Sequence, residues 1–388
     1  MGKQKICIIG GGGHVGFPLG LYLASKNFNI SLYEKNLDVC KKINNGKAPY
    51  FELGAKKIIS KFRKNFIAGY DNKFIKEADI IIVCIGTPVD NELKPDFKTF
   101  LKFFYFLKKI IKKNQIVLIR SSVYPGVTNK IKNILKGKNS NLVYCPERIL
   151  QGRSLIELPN LPQIISAYNK KSLKISTRFF KNITKKIIVT SILEAELIKL
   201  FSNAWRYINF ATSNQFYTIC NDFDVDFNSI RKSMMDGYGR NSNMPFAGFA
   251  AGPCLLKDTM QLSHFVNNKF TLGNASLKIN EGLPIYIVKD LEKKFNLRRK
   301  TIGILGLAFK SDVDDTRDSL SKKLIKILKQ KKYKYIISDE YVKDKNIVSS
   351  KKLINMSDII IVAVPHTNYK KLKIPKNKYK IDTWEITT

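Results

Sequence analysis

The chain has 388 residues, 44% hydrophobic and 26% charged, which is the composition of a globular protein and the length of two or three domains. Its longest apolar runs, such as Ile80-Ile81-Ile82-Val83-Cys84-Ile85, are strand-sized and argue against a membrane-spanning segment. The formal charge of +37 is spread along the chain as lysine mixed with isoleucine and asparagine, and no basic stretch alternates with aromatics as a base-stacking groove would. It reads as compositional bias that favours polyanionic substrates, with neither nucleic acid nor membrane as partner. The start, Met1-Gly2-Lys3-Gln4-Lys5, lacks the apolar stretch of a secretory signal, so a cytoplasmic protein is expected. The six scattered cysteines (Cys7, Cys40, Cys84, Cys145, Cys220, Cys254) are expected to be free thiols, most of them core fillers. With three histidines and no paired ligand spacing, no metal site is expected.

From Lys5 to about Ile192 short apolar strands alternate with amphipathic stretches, the pattern of a parallel α/β sheet. Strands are predicted at Ile6–Ile9, Ile30–Tyr33, Ile80–Ile85, Ile116–Ile119 and Leu142–Cys145. Glu194–Phe216 reads as one long helix, free of Gly and Pro, leading into a helical middle. Gly237–Gly252 is a Gly/Asn/Pro-rich loop long enough to be functional. After a polar bridge, Glu292–Lys300, a second α/β unit opens with the strand Thr301–Leu307 and closes with Ile359–Val364. The lysine-rich stretch beyond is expected to be loosely ordered, with His366 a plain loop residue. The expected domains are 1–192, 193–296 and 297–388.

Gly11, Gly13 and Gly16 fit GxGxxG between a predicted strand and helix. Glycines there permit the tight turn and let a pyrophosphate approach backbone N–H groups at a helix N-terminus. Glu34 ends the next strand, where a carboxylate accepts hydrogen bonds from the ribose of NAD and repels the extra phosphate of NADP. Lys35 beside it weakens that preference. Far downstream, Cys254 closes the glycine-rich loop beside Lys257 and Asp258. An ammonium favours thiolate and a carboxylate can handle a proton, so a covalent step is expected there.

Together the motifs resemble the UDP-glucose/GDP-mannose dehydrogenase family, whose members oxidise the C6 alcohol of a nucleotide-sugar to a carboxylate. The resemblance rests on Gly13-His14-Val15-Gly16-Phe17-Pro18-Leu19, Gly86-Thr87-Pro88, Ser121-Ser122-Val123-Tyr124-Pro125-Gly126, Cys145-Pro146-Glu147-Arg148, Glu194–Asn203, Gly252–Asp258 and Gly306–Ser319. It implies two Rossmann-like doubly wound parallel-sheet domains joined by a helical middle domain with a long connecting helix. The first would bind NAD, the middle would dimerise, and the last would bind the UDP moiety.

By the same resemblance Cys254 is the nucleophile that carries a thiohemiacetal and then a thioester. Lys199 and Asn203, four apart on the long helix, stabilise the oxyanion. Asp258 deprotonates the alcohol or activates water, Glu147 acts near the reacting carbon in thioester hydrolysis, and the Ser122 hydroxyl orients the water. His14, Val15, Thr87 and Lys257 join Gly11, Gly13, Gly16 and Glu34 at the cofactor. Arg148, Arg240, Phe249, Gly252, Lys310 and Arg317 are expected at the substrate, the basic groups being suited to phosphate oxygens.

Departures from the pattern are an extra glycine in the first loop, Leu256 where a proline is common, and Gln151 where glucose-specific members carry a glutamate. With Pro146-Glu147-Arg148, Gly152 and Leu161–Ile165, they bring the chain closer to the UDP-N-acetylhexosamine branch, with a role in polysaccharide biosynthesis. The alternatives are a UDP-glucose 6-dehydrogenase, a two-electron hydroxyacid dehydrogenase, which needs neither Cys254 nor a C-terminal nucleotide domain, and a basic nucleic-acid binder.

Overall fold

The computed structural model describes residues 4–87, 96–138 and 141–387. Pro88 of the Gly86-Thr87-Pro88 motif and the leading Met1-Gly2-Lys3 lie outside the described residues. The chain divides into two compact units, Met1–Phe201 and Ser202–Thr388.

The first unit holds an eight-stranded sheet: β1 (Lys5–Ile9), β2 (Asn29–Tyr33), β3 (Phe66–Gly69), β4 (Ile80–Val83), β5 (Ile116–Ile119), β6 (Leu142–Tyr144), β7 (Gln163–Ala167) and β8 (Ile187–Val189). Their order is β3-β2-β1-β4-β5-β6-β7-β8. The central strands are buried on both faces, which is why they read as unbroken Ile/Val/Leu runs. Side chains of alternate residues feed two cores, Ile6, Ile8 and Ile82 on one face, Cys7, Ile9 and Ile81 on the other.

One pairing departs from the expected all-parallel sheet: β6 and β7 are antiparallel, with Val143 opposite Ala167 and Tyr144 opposite Ser166. The reason lies in the connection. It leaves β6 at its carboxyl end and re-enters β7 at that same edge, so residues 145–162 stay beside the carboxyl ends of the strands. That is the edge at which α/β sheets bind ligands.

The second unit begins within the long helix Ile192–Asp222. Along that helix Ala204, Tyr207, Ala211 and Asn214 form a buried stripe, while Trp205, Thr212, Phe216 and Ile219, and Phe223 just past its end, stay exposed. The expected polar bridge Glu292–Lys300 is instead the end of a second long helix, Thr271–Lys294, followed by a 3-10 turn at Leu297–Arg299. Leu283, Ile287, Val288 and Leu291 of that helix share one core with Ile302, Ile304, Leu320 and Leu324.

A four-stranded parallel sheet completes the unit, in the order β10 (Lys334–Ser338), β9 (Thr301–Leu305), β11 (Ile359–Val362), β12 (Tyr379–Ile381). The C-terminal stretch is therefore not loose. β12 pairs with β11, and Asp382 Oδ2 accepts hydrogen bonds from Ile386 N, Thr387 N and Thr387 Oγ1. The Trp384 ring lies so close to Gly248 that a Cβ there would stand 2.2 Å from its Cζ2. Lysines facing solvent disguise a tail whose apolar residues are packed.

His366 is likewise not a plain loop residue. It is fully buried, with Nδ1 accepting from Asp312 N–H at 2.9 Å and Nε2 3.1 Å from Asp339 Oδ2. Burial works against the charge of Asp339, but His366 and the N–H groups of Leu307, Ala308, Tyr341 and Val342 outweigh it and hold its pKa down to about 2. A carboxyl depressed in the folded state stabilises above its unfolded pKa of about 4, and that contribution is lost as pH falls towards 2. Asp339→Asn should therefore cost about 2 kcal/mol at neutral pH, with the difference from the native chain vanishing between about pH 4 and pH 2. Denaturant titrations of both proteins across that range check it.

Candidate functional site

In the first unit, the turn after β1 is built as a cradle. Gly10 adopts φ +76°, and the N–H groups of Gly10 and Gly11 donate to Tyr33 O at 3.0 and 3.2 Å. A Cβ on Gly11 would lie 2.6 Å from Leu32 Cβ, one on Gly12 2.5 Å from Val39 Cγ1, and one on Gly16 2.3 Å from Gly10 O. Gly13 differs: it is exposed, and a Cβ would meet only Gly10 O at 3.3 Å. Its missing side chain leaves room for a ligand rather than for the protein. Gly12, which the pattern treats as a free position, is the more constrained of the two.

Glu34 stands at the end of β2, half-buried. Its Oε2 accepts from Gly12 N–H at 3.1 Å and its Oε1 from Asn36 N–H at 2.9 Å, so the carboxylate braces the loop. The His14 ring lies 3.8 Å from that of Tyr50, and Gln151 Nε2 is 3.4 Å from His14 Nε2. Tyr50, which no sequence motif marks, donates from its hydroxyl to Gly13 O at 2.8 Å. Val15 precedes the helix Gly16–Ser25, and Thr87 is buried just past β4. A turn whose Gly11, Gly12 and Gly16 leave no room for a side chain, with the Glu34 carboxylate beside it, fits NAD.

At the carboxyl ends of β5 and β6 the side chains expected to be catalytic are differently placed. Ser122 is half-buried after β5. Glu147 is buried and paired with Arg120, a fully buried guanidinium absent from the sequence-based expectation. Glu147 Oε1 also accepts from Arg148 N–H at 2.8 Å and Ile149 N–H at 3.2 Å. Arg120 further contacts Gln163 Oε1 at 3.1 Å and Cys145 Sγ at 3.2 Å, and lies over the Phe180 ring at 5.3 Å. Burial works against its charge, but Glu147 reverses the balance and holds it protonated. Burial also pushes the Cys145 and Cys84 thiols up to about 12, which disfavours their thiolates. Arg148, expected at the substrate, donates to Pro162 O at 2.6 Å.

In the second unit, Cys254 is exposed at the residue before the helix Leu255–Phe265, the end of a helix that favours an anion. Asp258 closes the first turn, donating from its N–H to Cys254 O at 3.0 Å. Its carboxylate is fully buried; Asn203 Nδ2 donates to Oδ2 at 2.6 Å, and the Lys257 ammonium stands 3.6 Å from Oδ1. Lys257, expected at the cofactor, thus turns towards Asp258. Lys199, one turn before Asn203 on the long helix, is buried as well. Arg317 is exposed and forked onto Asp315, with Nη2 2.6 Å from Oδ2. Those hydrogen bonds raise its pKa, and a thiolate at Cys254 adds to the effect.

The loop before Cys254 runs through the interior: Ala247, Phe249, Ala250 and Gly252 are buried. Its backbone needs partners there. Asn214, also buried, supplies them at Gly248, accepting from its N–H at 2.7 Å and donating to its O at 3.0 Å. Asn280 braces Asn214 at 2.8 Å and donates to Tyr207 O at 3.0 Å. Gly252 carries φ +107°, and a Cβ there would lie 2.3 Å from Phe309 Cδ2. Lys310 lies with Nζ 5.9 Å from the Phe309 ring centre, while Arg240 is exposed beside Tyr238, 3.1 Å from its hydroxyl. Both asparagines escaped the sequence reading, although Asn214 on a buried helical stripe of Tyr207 and Ala211 was a usable signal.

Among the described residues, no group of three or more His, Cys, Asp or Glu could hold a metal ion, and no helix is long and apolar enough to cross a membrane. The dinucleotide cradle is that of an NAD-dependent oxidoreductase. Models of the UDP-glucose/GDP-mannose dehydrogenase family match all three parts of the chain: the NAD binding domain at residues 4–184, the central domain at 193–282 and the UDP binding domain at 303–388. The chain belongs to that family, and its cofactor is NAD.

Among its relatives is the UDP-N-acetyl-D-mannosamine dehydrogenase of Methanococcus vannielii, 29% identical over 99% of this chain and 93% of that protein. The protein of that name from Pyrococcus horikoshii is 25% identical over 95% of this chain and 90% of its own length. A solved structure of the Pyrococcus horikoshii UDP-D-ManNAc dehydrogenase superposes with a TM-score of 0.88, covering 99% of this chain and 96% of that one at 25% identity.

Proposed function

We propose that the chain oxidises the C6 hydroxyl of a UDP-N-acetylhexosamine to the carboxylate, with Cys254 holding the carbon between two hydride transfers. The observation that carries this reading is the exposed Cys254 thiol one helical turn from the buried Asp258–Asn203 pair. The names of the relatives from Methanococcus vannielii and Pyrococcus horikoshii support the choice of sugar.

Held at Gly11, Gly13, Gly16 and Glu34, NAD would supply the hydride acceptor for both oxidations at C6. Asp258 takes the hydroxyl proton as the alcohol becomes an aldehyde, its buried Oδ1 having no hydrogen bond from the protein. Cys254 Sγ then bonds to the aldehyde carbon, and the oxygen that gains the electron pair is matched by the Asn203 amide and the Lys199 ammonium. Loss of the second hydride leaves a thioester. Water adds to it, helped by Ser122, the C–S bond breaks, and the acid departs as Cys254 is restored. Glu147 already accepts from Arg120, Arg148 and Ile149, so we assign it a positioning role. Lys310 and Arg317 are assigned to the diphosphate, with Phe249 and Gly252 shaping the sugar side.

The exposed stripe Trp205, Thr212, Phe216, Ile219 and Phe223, spaced by three, four and seven residues, is the face through which we propose the chain forms a homodimer. In that assembly Arg240, exposed beside Tyr238, is assigned to the partner's substrate. Sedimentation equilibrium should give twice the mass of 44.4 kDa; a monomer at micromolar concentration contradicts it. For the substrate, purified protein with NAD is to be offered UDP-ManNAc, UDP-GlcNAc, UDP-GalNAc and UDP-glucose separately. Turnover with an N-acetylated sugar is expected, and turnover confined to UDP-glucose would overturn the choice.

A further inference from the structure

The second unit repeats the strand–turn–helix–strand plan of the first, and the repeat shows where its acidic residue has gone. Gly10 follows β1 at φ +76° and Gly306 follows β9 at φ +98°. Gly10 N–H donates to Tyr33 O at 3.0 Å, and Gly306 N–H donates to Ser338 O at 2.8 Å. Glu34 directly follows β2, and Asp339 directly follows β10. Glu34 stays half-buried with two backbone donors, whereas the Asp339 side chain is fully buried and its Oδ2 alone accepts from Leu307 N–H at 2.6 Å, Ala308 N–H at 3.0 Å and His366. The carboxylate has become an internal anchor rather than a ligand for a ribose.

We propose that His366 is a positioning residue for the loop Leu307–Asp318, the loop that presents Lys310 and Arg317 to the UDP-sugar; the substrate part of this rests on the function proposed above. Its ring has one tautomer that satisfies both neighbours. Nδ1 must be unprotonated to accept Asp312 N–H at 2.9 Å, which puts the hydrogen on Nε2, where it is donated to Asp339 Oδ2 at 3.1 Å. One imidazole thereby ties Asp312 to the carboxylate that already holds Leu307 and Ala308, and Phe309, Lys310 and Ser311 are suspended between the two anchors.

Asp312 needs that tie. It sits at φ +56°, a left-handed conformation costly for a residue other than glycine. Its carboxylate is held by Thr367 N–H at 2.9 Å and the Tyr341 hydroxyl at 3.0 Å, and the Tyr341 ring packs on His366 at 4.9 Å. Across the same loop, Phe309 N–H donates to Asp315 O at 2.9 Å, and Asp315 grips Arg317. The Phe309 ring closes over Gly252, two residues before Cys254. A shift of Asp312 would therefore reach both the phosphate-binding groups and the cysteine loop.

The test compares His366→Gln and His366→Asn with the native chain. The glutamine keeps a donor near Nε2 and drops the acceptor for Asp312 N–H; the asparagine keeps an acceptor near Nδ1. Hydrogen–deuterium exchange without nucleotide and titration with UDP are measured on each, with NAD binding as control. His366→Gln should exchange faster within 307–318 and bind UDP about tenfold more weakly, at unchanged NAD affinity. His366→Asn should recover most of both. In turnover, KM for the UDP-sugar should rise while kcat changes little. Native exchange and native UDP affinity in His366→Gln would overturn the proposal. A loosened loop in a protein whose native form binds no UDP would uphold the positioning role and sink the UDP reading instead.

Discussion

Cys254→Ala should bind NAD as the native chain does and form no acid, with a loss of turnover on the order of 10³-fold or more. Access sets Cys254 apart from the other thiols. Cys254 is exposed, whereas Cys7, Cys40, Cys145 and Cys220 are buried, and the half-exposed Cys84 has its thiol pushed up to about 12 by burial. No other thiol can stand in. Without the C–S bond the aldehyde is free to leave as its hydrate, so any residual reaction should stop after one hydride. Product analysis by mass spectrometry, with a separate NAD titration, reads both halves. Full acid formation by the variant would remove the covalent step from the account.

Arg120→Met should destabilise the first unit by about 3–5 kcal/mol, the usual cost of stripping one partner from a buried ion pair. Arg120 is fully buried and Glu147 nearly so. The substitution would leave the carboxylate with only its two backbone donors, and Gln163 Oε1 and Cys145 Sγ would lose the Arg120 guanidinium. Adding Glu147→Gln removes the orphaned charge and should return a good part of the loss. Urea unfolding of the single and double variants measures it. A single variant that unfolds where the native chain does would show that the pair is not holding the loop.

The parts legible in the sequence are those whose physics is local. β4, β5 and β11 are short runs of Ile, Val and Leu because both faces of the sheet are covered, and such runs declare themselves. The edge strand β3, Phe66-Ile67-Ala68-Gly69, alternates burial and exposure, and β12 contains a lysine, so neither stands out from a loop. Gly11, Gly16 and Glu34 stand out because they punctuate a strand–turn–helix–strand run, and Cys254 and Asp258 because they stand four apart at a helix start. Arg120, Asn214, Asn280 and His366 were missed for the opposite reason. Their partners lie 27 residues away for Glu147, 34 for Gly248, 66 for the asparagine pair and 54 for Asp312. Nothing short of the folded chain brings such groups together. The antiparallel β6–β7 return was hidden too, since strand direction is set by which edge a connection comes back to.

The most direct measurement is the count of NADH formed per molecule of UDP-N-acetylhexosamine consumed, taken to completion with the native chain in excess NAD. Two NADH, with the uronic acid as product, is the result this account predicts. One NADH per sugar, with an aldehyde or ketone released, would contradict it, because a two-electron oxidation has no use for the thiol of Cys254.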